Sequence, residues 1–484
     1  MTKAGTAKHS PPSMPRAKSA KSSVAARAKT GPRKPKNPSA WPKNARAKIR
    51  MYRQGLGDFF LLTLPRAGAK DFHMLVDCGV ITGTPDGKAN MQRLVKNLAA
   101  ETGGSIDVVV ATHRHADHIS GFLQAADVFK TLHVGEVWMS WIENPADKLG
   151  QQVLSTHKNA EKALRASAEK LRALGMEAAG DEVANLLGFR DVGLAGTSIG
   201  TTDSAVEIAK TLGSLRFCRP DDPPRRPDGV AANIFVLGPP RDVAALGKMN
   251  PSKLDPETYG ISAMQNLLRD IAPALGVTMD DTSGDSGDGN PFGANWAIPL
   301  NEKSAPAFFE ANYFAEDSHW RRIDEDWFMG ASALALAFDT AVNNTSLVLA
   351  VQLDGGDVLL FAADAQVGNW LSWQHLKWKL PGGGEISGPG LLNRAVFYKV
   401  GHHASHNGTL EALGLELMQN IMFAMISVDE QMALKKNWGQ MPYSKLTDAL
   451  DRHTVLRTIR SDKDIPAAAK ASVRSTADYY ELTI

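Results

Sequence analysis

Cysteine is nearly missing from this sequence: Cys78 and Cys218 are the only two among 484 residues. A single pair cannot build a disulfide framework or a thiolate zinc module, so a reducing compartment fits and both thiols are expected as small core residues. Also missing is any apolar run of the roughly 18–20 residues that a membrane-crossing helix needs. The best candidates, "FFLLTL" and "SALALAF", suit strand and helix cores. No apolar signal segment stands near the N-terminus, which leaves a cytoplasmic chain without a membrane partner as the expectation. Acid is missing in one place: residues 1–50 hold 14 Lys or Arg and no Asp or Glu, against an excess of acid over the rest of the chain.

That basic stretch defines the first boundary. Residues 1–44 are rich in Lys, Ala, Ser and Pro and have no hydrophobic period, so they cannot bury enough surface to offset their ordering entropy. They are expected to be a disordered tail, either a solvated extension or a segment that binds nucleic acid or another polyanion by counterion release. Prolines at 11, 12, 15, 32, 35 and 38 argue against the amphipathic helix of a transit peptide.

Residues 45–484 carry globular patterning. Short β-type runs, "AKIRMYRQ", "DFFLLTL" and "DFHMLVDCG", predict an antiparallel meander. The helix-like "NMQRLVKNLAAE" leads into "SIDVVVATH", whose Val run suits a strand buried on both faces. Helix-like "GFLQAADVFKTL" and strand-like "EVWMSWI" continue the alternation. Inserted segments are expected at about 143–230, mostly helical up to about 210, and at 241–340, where "DDTSGDSGDGNPFG" reads as a loop. Strands return at "LGSLRFC" and "AANIFVLGPP". The final third begins with a hairpin, "SLVLAVQLDGGDVLLFAAD". A helix, "GNWLSWQHLKW", the strand "AVFYKVGHH", a helix, "FAMISV", another helix and closing strands "VLRTIR" and "YYELTI" follow. Two β-to-α halves, roughly 47–240 and 340–484, predict two sheets packed between helices, a four-layer αββα sandwich of mixed α+β and α/β character.

The chemistry is concentrated in "VVVATHRHADHISGF". An apolar strand delivers His113, His115, Asp117 and His118 into one loop before a helix. Alternate residues of an extended segment point the same way, so His113 and His115 can grip one ion while Asp117 and His118 face a second. A hydrolytic zinc keeps three or more protein ligands and an open water position, so further ligands must come from elsewhere. Asp364 ends the apolar "DVLLFAAD" and can bridge two ions. The strand "YKVGHHASHNG" also runs into histidines. His402 is taken as the ligand there, with His403 supporting it or touching substrate; Ser405 and Lys399 are further candidate substrate contacts.

These segments resemble the metallo-β-lactamase superfamily, and within it the soluble hydrolase domain of ComEC-type competence proteins and their stand-alone relatives. The resemblance covers most of residues 47–463 and rests on HxHxDH at 113–118, "NNTSLVL" and "LLFAAD" at 343–364, "KVGHH" at 399–403 and "HMLVDCG" at 73–79. It implies the metallo-β-lactamase fold, zinc, and a role for Asp77 in supporting the metal loop. One departure stands out: many members place another His near a strand resembling "IFVLGPP", where this chain has Gly238. His133, His157 and His319 lie in the interval, but none follows a matching strand.

The expected function is a metal-dependent hydrolase that uses metal-bound hydroxide on a small-molecule or nucleic-acid ester, with a phosphodiester favoured by the ComEC resemblance. A binuclear site would place His113, His115 and Asp364 on one ion and Asp117, His118, Asp364 and His402 on the other. Zinc is the first choice, with manganese or iron also suited to these ligands. A metal lowers the pKa of bound water from about 15.7 to near 7, and Asp117 could orient the hydroxide and pass a proton to the leaving group. The alternatives are a polyanion-binding protein with a degenerate metal site and a di-iron redox protein. Oligomeric state is not encoded legibly.

Overall fold

The apolar runs of this chain become strands whose alternate side chains enter different cores. In the computed structural model, residues 44–173, 175–192, 200–248, 311–312, 315, 331–380, 383–436, 438 and 440–484 are described. The basic tail up to residue 43, the Gly/Asp-rich stretch and His319 lie outside them.

Eight strands form one sheet, in the spatial order Val473–Ser475, Tyr479–Thr483, Lys48–Tyr52, Phe60–Leu64, Phe72–Val76, Ser105–Val110, His133–Ser140 and Ser214–Cys218. Pairing is antiparallel through Phe72–Val76 and parallel from there on. Six strands form the other, in the order Thr458–Arg460, Phe423–Ile426, Ala395–Lys399, Val358–Phe361, Val348–Leu353 and Ala232–Gly238. Here the last three are joined antiparallel and the rest are parallel.

Phe60, Leu62, Met74, Val108, Leu349, Val351 and Phe361 fill the space between the sheets. Their neighbours Leu61, Leu75 and Val109 face an outer core with the helices Gly87–Thr102 and Ala116–Gln124. Val348, Ala350 and Leu360 face a second outer core with the helices Val367–Trp373, Glu430–Lys435 and Ser444–His453. Burial on both faces explains why these strands are apolar at successive positions, and each such side chain contributes roughly 1.5–3 kcal/mol. The four expected layers are therefore present. Both cysteines are free and buried.

The insertion after residue 143 has its own small core. Helices Lys148–Ala173 and Glu177–Leu187 pair, and Ala331–Asn343 packs on them through Leu334, Phe338 and Val342. Strand Ser214–Cys218, within the expected first insertion, belongs to the larger sheet.

Two local expectations need correction, and one strand was not expected. The run "GNWLSWQHLKW" is helical only to Trp373; Lys377–Lys379 instead pairs with Glu385–Ser387, with Trp378 and Ile386 buried between more exposed neighbours. The helix expected after "KVGHH" is replaced, among the described residues, by the single 3-10 turns Gly401–Ala404 and Leu415–Leu417. The edge strand Val473–Ser475, only three residues long, carries no periodic signal. No helix among the described residues is long and apolar enough to cross a membrane.

Parallel pairing aligns strand ends. Phe72–Val76 and Ser105–Val110 deliver Asp77 and His113 to one edge of their sheet, while Val358–Phe361 and Ala395–Lys399 deliver Asp364 and His402–His403 to one edge of the other. The Leu347 amide donates to Thr112 O at 2.9 Å and ties the two sheets beside this edge.

Candidate metal centre

His113 follows its strand, and the helix Ala116–Gln124 begins immediately after His115. Asp117 and His118 therefore lie in the first helical turn rather than in a loop before it. Backbone hydrogen bonds clamp this turn to the strand ends: Asp58 N to Asp117 O, Cys78 N to His118 O and Gly121 N to Cys78 O, each 2.8 Å. Gly79 is required by the close approach, since a Cβ there would lie 2.3 Å from Asp117 C and His118 N.

Asp77 organises the imidazoles. Its Oδ1 accepts from Thr112 N at 2.9 Å, and its Oδ2 accepts from Thr112 Oγ1 and His118 Nδ1, both at 2.7 Å. The Thr112 hydroxyl proton is thus committed to Asp77, so Thr112 Oγ1 accepts from His113 Nδ1, 3.1 Å away. These contacts place an Nδ1 proton on each histidine and turn Nε2 toward the cluster. Both Nε2 atoms are buried without a hydrogen-bond partner. His403 is set the same way, its Nδ1 donating to Ser427 O at 2.6 Å.

The free ends converge. His118 Nε2 lies 3.1 Å from Asp364 Oδ2, and His403 Nε2 lies 2.9 Å from Asp117 Oδ2 and 3.4 Å from Asp364 Oδ2. Ligand atoms of Asp117, His118, Asp364 and His403 all fall within 4.8 Å of one another, and all four residues are buried. Asp117 Oδ1 and Asp364 Oδ1 make no hydrogen bond.

His402 and His403 exchange the places expected of them. The backbone turns left-handed at His402, His403 and Ala404, with φ 47°, 48° and 63°, so strand alternation no longer sets side-chain direction. His402 Nε2 accepts from Asn343 Nδ2 at 3.2 Å, and its Nδ1 lies 2.5 Å from Ser405 Oγ and 3.2 Å from Asn407 Oδ1. Both of its nitrogens are engaged away from the cluster. Ser405 is buried against His402, and Lys399 is buried in an ion pair with Asp58 while donating to Ala363 O at 2.9 Å. Neither side chain is available as the substrate contact expected of it.

Charge is unevenly matched here. Asp58, Asp77, Asp117, Asp339 and Asp364 are all buried around the buried Lys399. Burial alone would lower His118, yet the carboxylates of Asp364, Asp117, Asp58 and Asp77 outweigh it and hold the imidazole well above its usual range. His403, against the same burial, is raised to about 10 by Asp364 and Asp117. Burial opposes ionisation of Asp364 and Asp117, but His118 and His403 hold both below the usual carboxylate range. His113 is held neutral by burial and by His118, and burial brings His115 down to about 3. His113 and His115 are already neutral, and a divalent cation would take the place of the protons that the carboxylates hold on His118 and His403. The donor set fits the group its chemistry implies.

Two contributors escaped the sequence reading. Asp58 sits in a Gly-Asp turn that looks ordinary; its only signal was an acid leading directly into an apolar run. Asp339 was hidden in the apolar helix "ALALAFDTAV", where an acid between core residues was the available hint. The histidines of the interval before Asp364 do not join the cluster where described: His133 is exposed at the start of its strand, and His157 is buried against Phe338.

Residues 60–174 match the metallo-beta-lactamase superfamily. The match covers the three strands from Phe60 to Val110, the histidine motif, the strand His133–Ser140 and the first inserted helix. No curated protein and no solved structure matches the chain.

Proposed function

We propose that the metallo-β-lactamase superfamily domain carried by this chain is a metal-dependent hydrolase acting on a phosphodiester or related ester. The observation that carries the reading is the buried convergence of Asp117, His118, Asp364 and His403 from separate chain segments, with unpartnered donor atoms among them. These residues would hold one ion, and His113, His115 and Asp364 would serve another. A bound divalent ion acidifies water and neutralises charge on the attacked ester.

The chain's own part is positional. Asp77 and Ser427 keep the Nε2 atoms of His113, His118 and His403 free for ligation. Asp117 presents Oδ2 to His403 and leaves Oδ1 able to accept a proton from an incoming water and return it to the leaving oxygen. Lys399 and Asp58 brace the turn that carries Asp364. The resemblance of the motifs to ComEC-type domains favours a phosphodiester, zinc is the first choice of metal, and the basic tail would attract a polyanionic substrate.

Metal analysis of the purified protein, followed by assay against a phosphodiester, a lactone and a thioester, tests this. Metal-dependent phosphodiester turnover that is lost in Asp117→Ala and His118→Ala is expected. Protein that retains no divalent ion, or turnover that survives both substitutions, would overturn the reading. Turnover of the lactone or thioester alone would reassign the substrate class.

A further inference from the structure

His113 and His115 are two imidazoles that, apart from the Asp364 shared with the other ion, lack an evident protein ligand of their own. The strand end at Gly238, where many members of the resembled superfamily place another His, is closed. A Cβ on Gly238 would lie 2.1 Å from Asn369 Oδ1, and Asn369 is itself locked in place by donating to Asn344 O and Ser346 O, each at 3.1 Å. No side chain can project from Gly238 without displacing that amide.

A different element reaches the site instead. The helix Ala331–Asn343 packs on the inserted hairpin through Leu334, Phe338 and Val342, and this packing turns Asp339 toward the motif loop. Asp339 is 8% exposed, and its Oδ1 is buried without a hydrogen-bond partner, 3.5 Å from His115 Nε2. Two donors each about 2.0–2.2 Å from one zinc, at the tetrahedral angle, stand roughly 3.4 Å apart. The observed separation is long for a hydrogen bond and right for sharing an ion. The other oxygen, Oδ2, accepts from Asn343 Nδ2 at 3.1 Å, and the same amide donates to His402 Nε2. The carboxylate is thereby oriented, and His402 gains a role as the far end of that brace.

We infer that Asp339, supplied by the inserted helix, is a further protein ligand of the ion held by His113 and His115, beside the shared Asp364. The inference rests on the metal-centre reading above. It makes the insertion part of the active centre: the helix that packs the inserted core also completes the coordination sphere, with Asn343 and His402 as positioning residues.

The test uses the full chain, stripped with chelator and titrated with Co(II) and, separately, with Zn(II). Ions bound per chain come from equilibrium dialysis, and ligand geometry from the visible absorption of cobalt. Wild type is expected to take up two ions. Asp339→Asn should lose one, with affinity at that site down by more than about 100-fold, beyond the 10–100-fold that a merely supporting residue costs. The cobalt spectrum should lose the component of that site. Asp339→His, which restores a donor, should recover the second ion. Asp117→Asn is the reference for the other site and should perturb the remaining cobalt component. Thermal unfolding of the metal-free variants checks that each is folded.

If Asp339→Asn binds two ions with wild-type affinity or an unchanged cobalt spectrum while Asp117→Asn is impaired, Asp339 is no ligand and the metal centre stands without it. Failure of Asp339→His to recover the ion counts against the inference in the same way. Wild type that takes up neither metal sinks the parent reading, and this one with it.

Discussion

Asp77→Asn isolates the part that imidazole orientation plays. The carboxylate accepts three hydrogen bonds, from Thr112 N, Thr112 Oγ1 and His118 Nδ1, and is fully buried. An asparagine of the same shape has only one accepting oxygen. With its NH2 toward Thr112 N, two donors face each other, at roughly 1–3 kcal/mol for a buried unsatisfied group. With its NH2 toward Oγ1 and Nδ1, His118 must move its proton to Nε2, and Thr112 Oγ1, now accepting from the amide, no longer favours the Nδ1–H form of His113. That orientation takes away the free nitrogens that face the cluster, and loss of such a supporting group weakens metal binding about 10–100-fold. Either orientation has a measurable consequence. Thermal unfolding with and without metal, together with a competition titration against a chromophoric chelator, reads both. A variant with wild-type stability and wild-type metal affinity would refute the idea that Asp77 sets the tautomers of the centre.

Other outcomes follow from the same geometry. His403→Asn should lose tight binding of the ion shared with Asp117, His118 and Asp364 while His402→Asn largely keeps that ion; Asn tolerates the left-handed backbone at both positions, so the contrast reports the side chains, and equal losses at that site would restore His402 as a ligand. Asp117→Asn should lower kcat by at least about 100-fold with phosphodiester substrate, and unchanged turnover would remove its proton-transfer role. In metal-free protein the raised His403 contributes stability that is full below about pH 6.5 and is lost as pH rises through about 10, whereas the depressed Asp117 and Asp364 contribute stability that is lost as pH falls below about 4. The melting temperature of chelator-treated protein should therefore fall from pH 7 to pH 10, and a rise over that interval contradicts the assignment. Removing residues 1–44 should weaken nucleic-acid affinity and flatten its salt dependence; identical salt slopes would free the tail of that role.

What could be read in advance was local or periodic. The apolar runs around residues 60, 75 and 108 and the pair 348–361 announce strands buried on both faces, because burial dictates composition at every position. The 113–118 motif is legible because four donors fall within six residues, and Asp364 because an acid ends an apolar strand. The His402–His403 order is not legible: it depends on three successive left-handed residues, a conformation that composition alone does not demand. Asp58 and Asp339 act through tertiary approach, one from a turn and one from a helix inserted far along the chain. No sequence spacing relates either to the motif. The helix expected after Ala404 is replaced by separate turns, whose local bonds, such as Ser405 N to His402 O and Leu415 N to Leu410 O, do not run on into a continuous helix.

The amide ladder that pins residues 117–121 to residues 58 and 78 has a consequence for how ions come and go. Because Asp58, Cys78 and Gly121 already satisfy the motif's peptide groups, the cost in chain freedom is incurred once, when the polypeptide folds, and is not incurred again at each capture event. If the centre holds ions as proposed, exchange is a matter of protons leaving imidazoles, and the protein is expected to reload without unfolding.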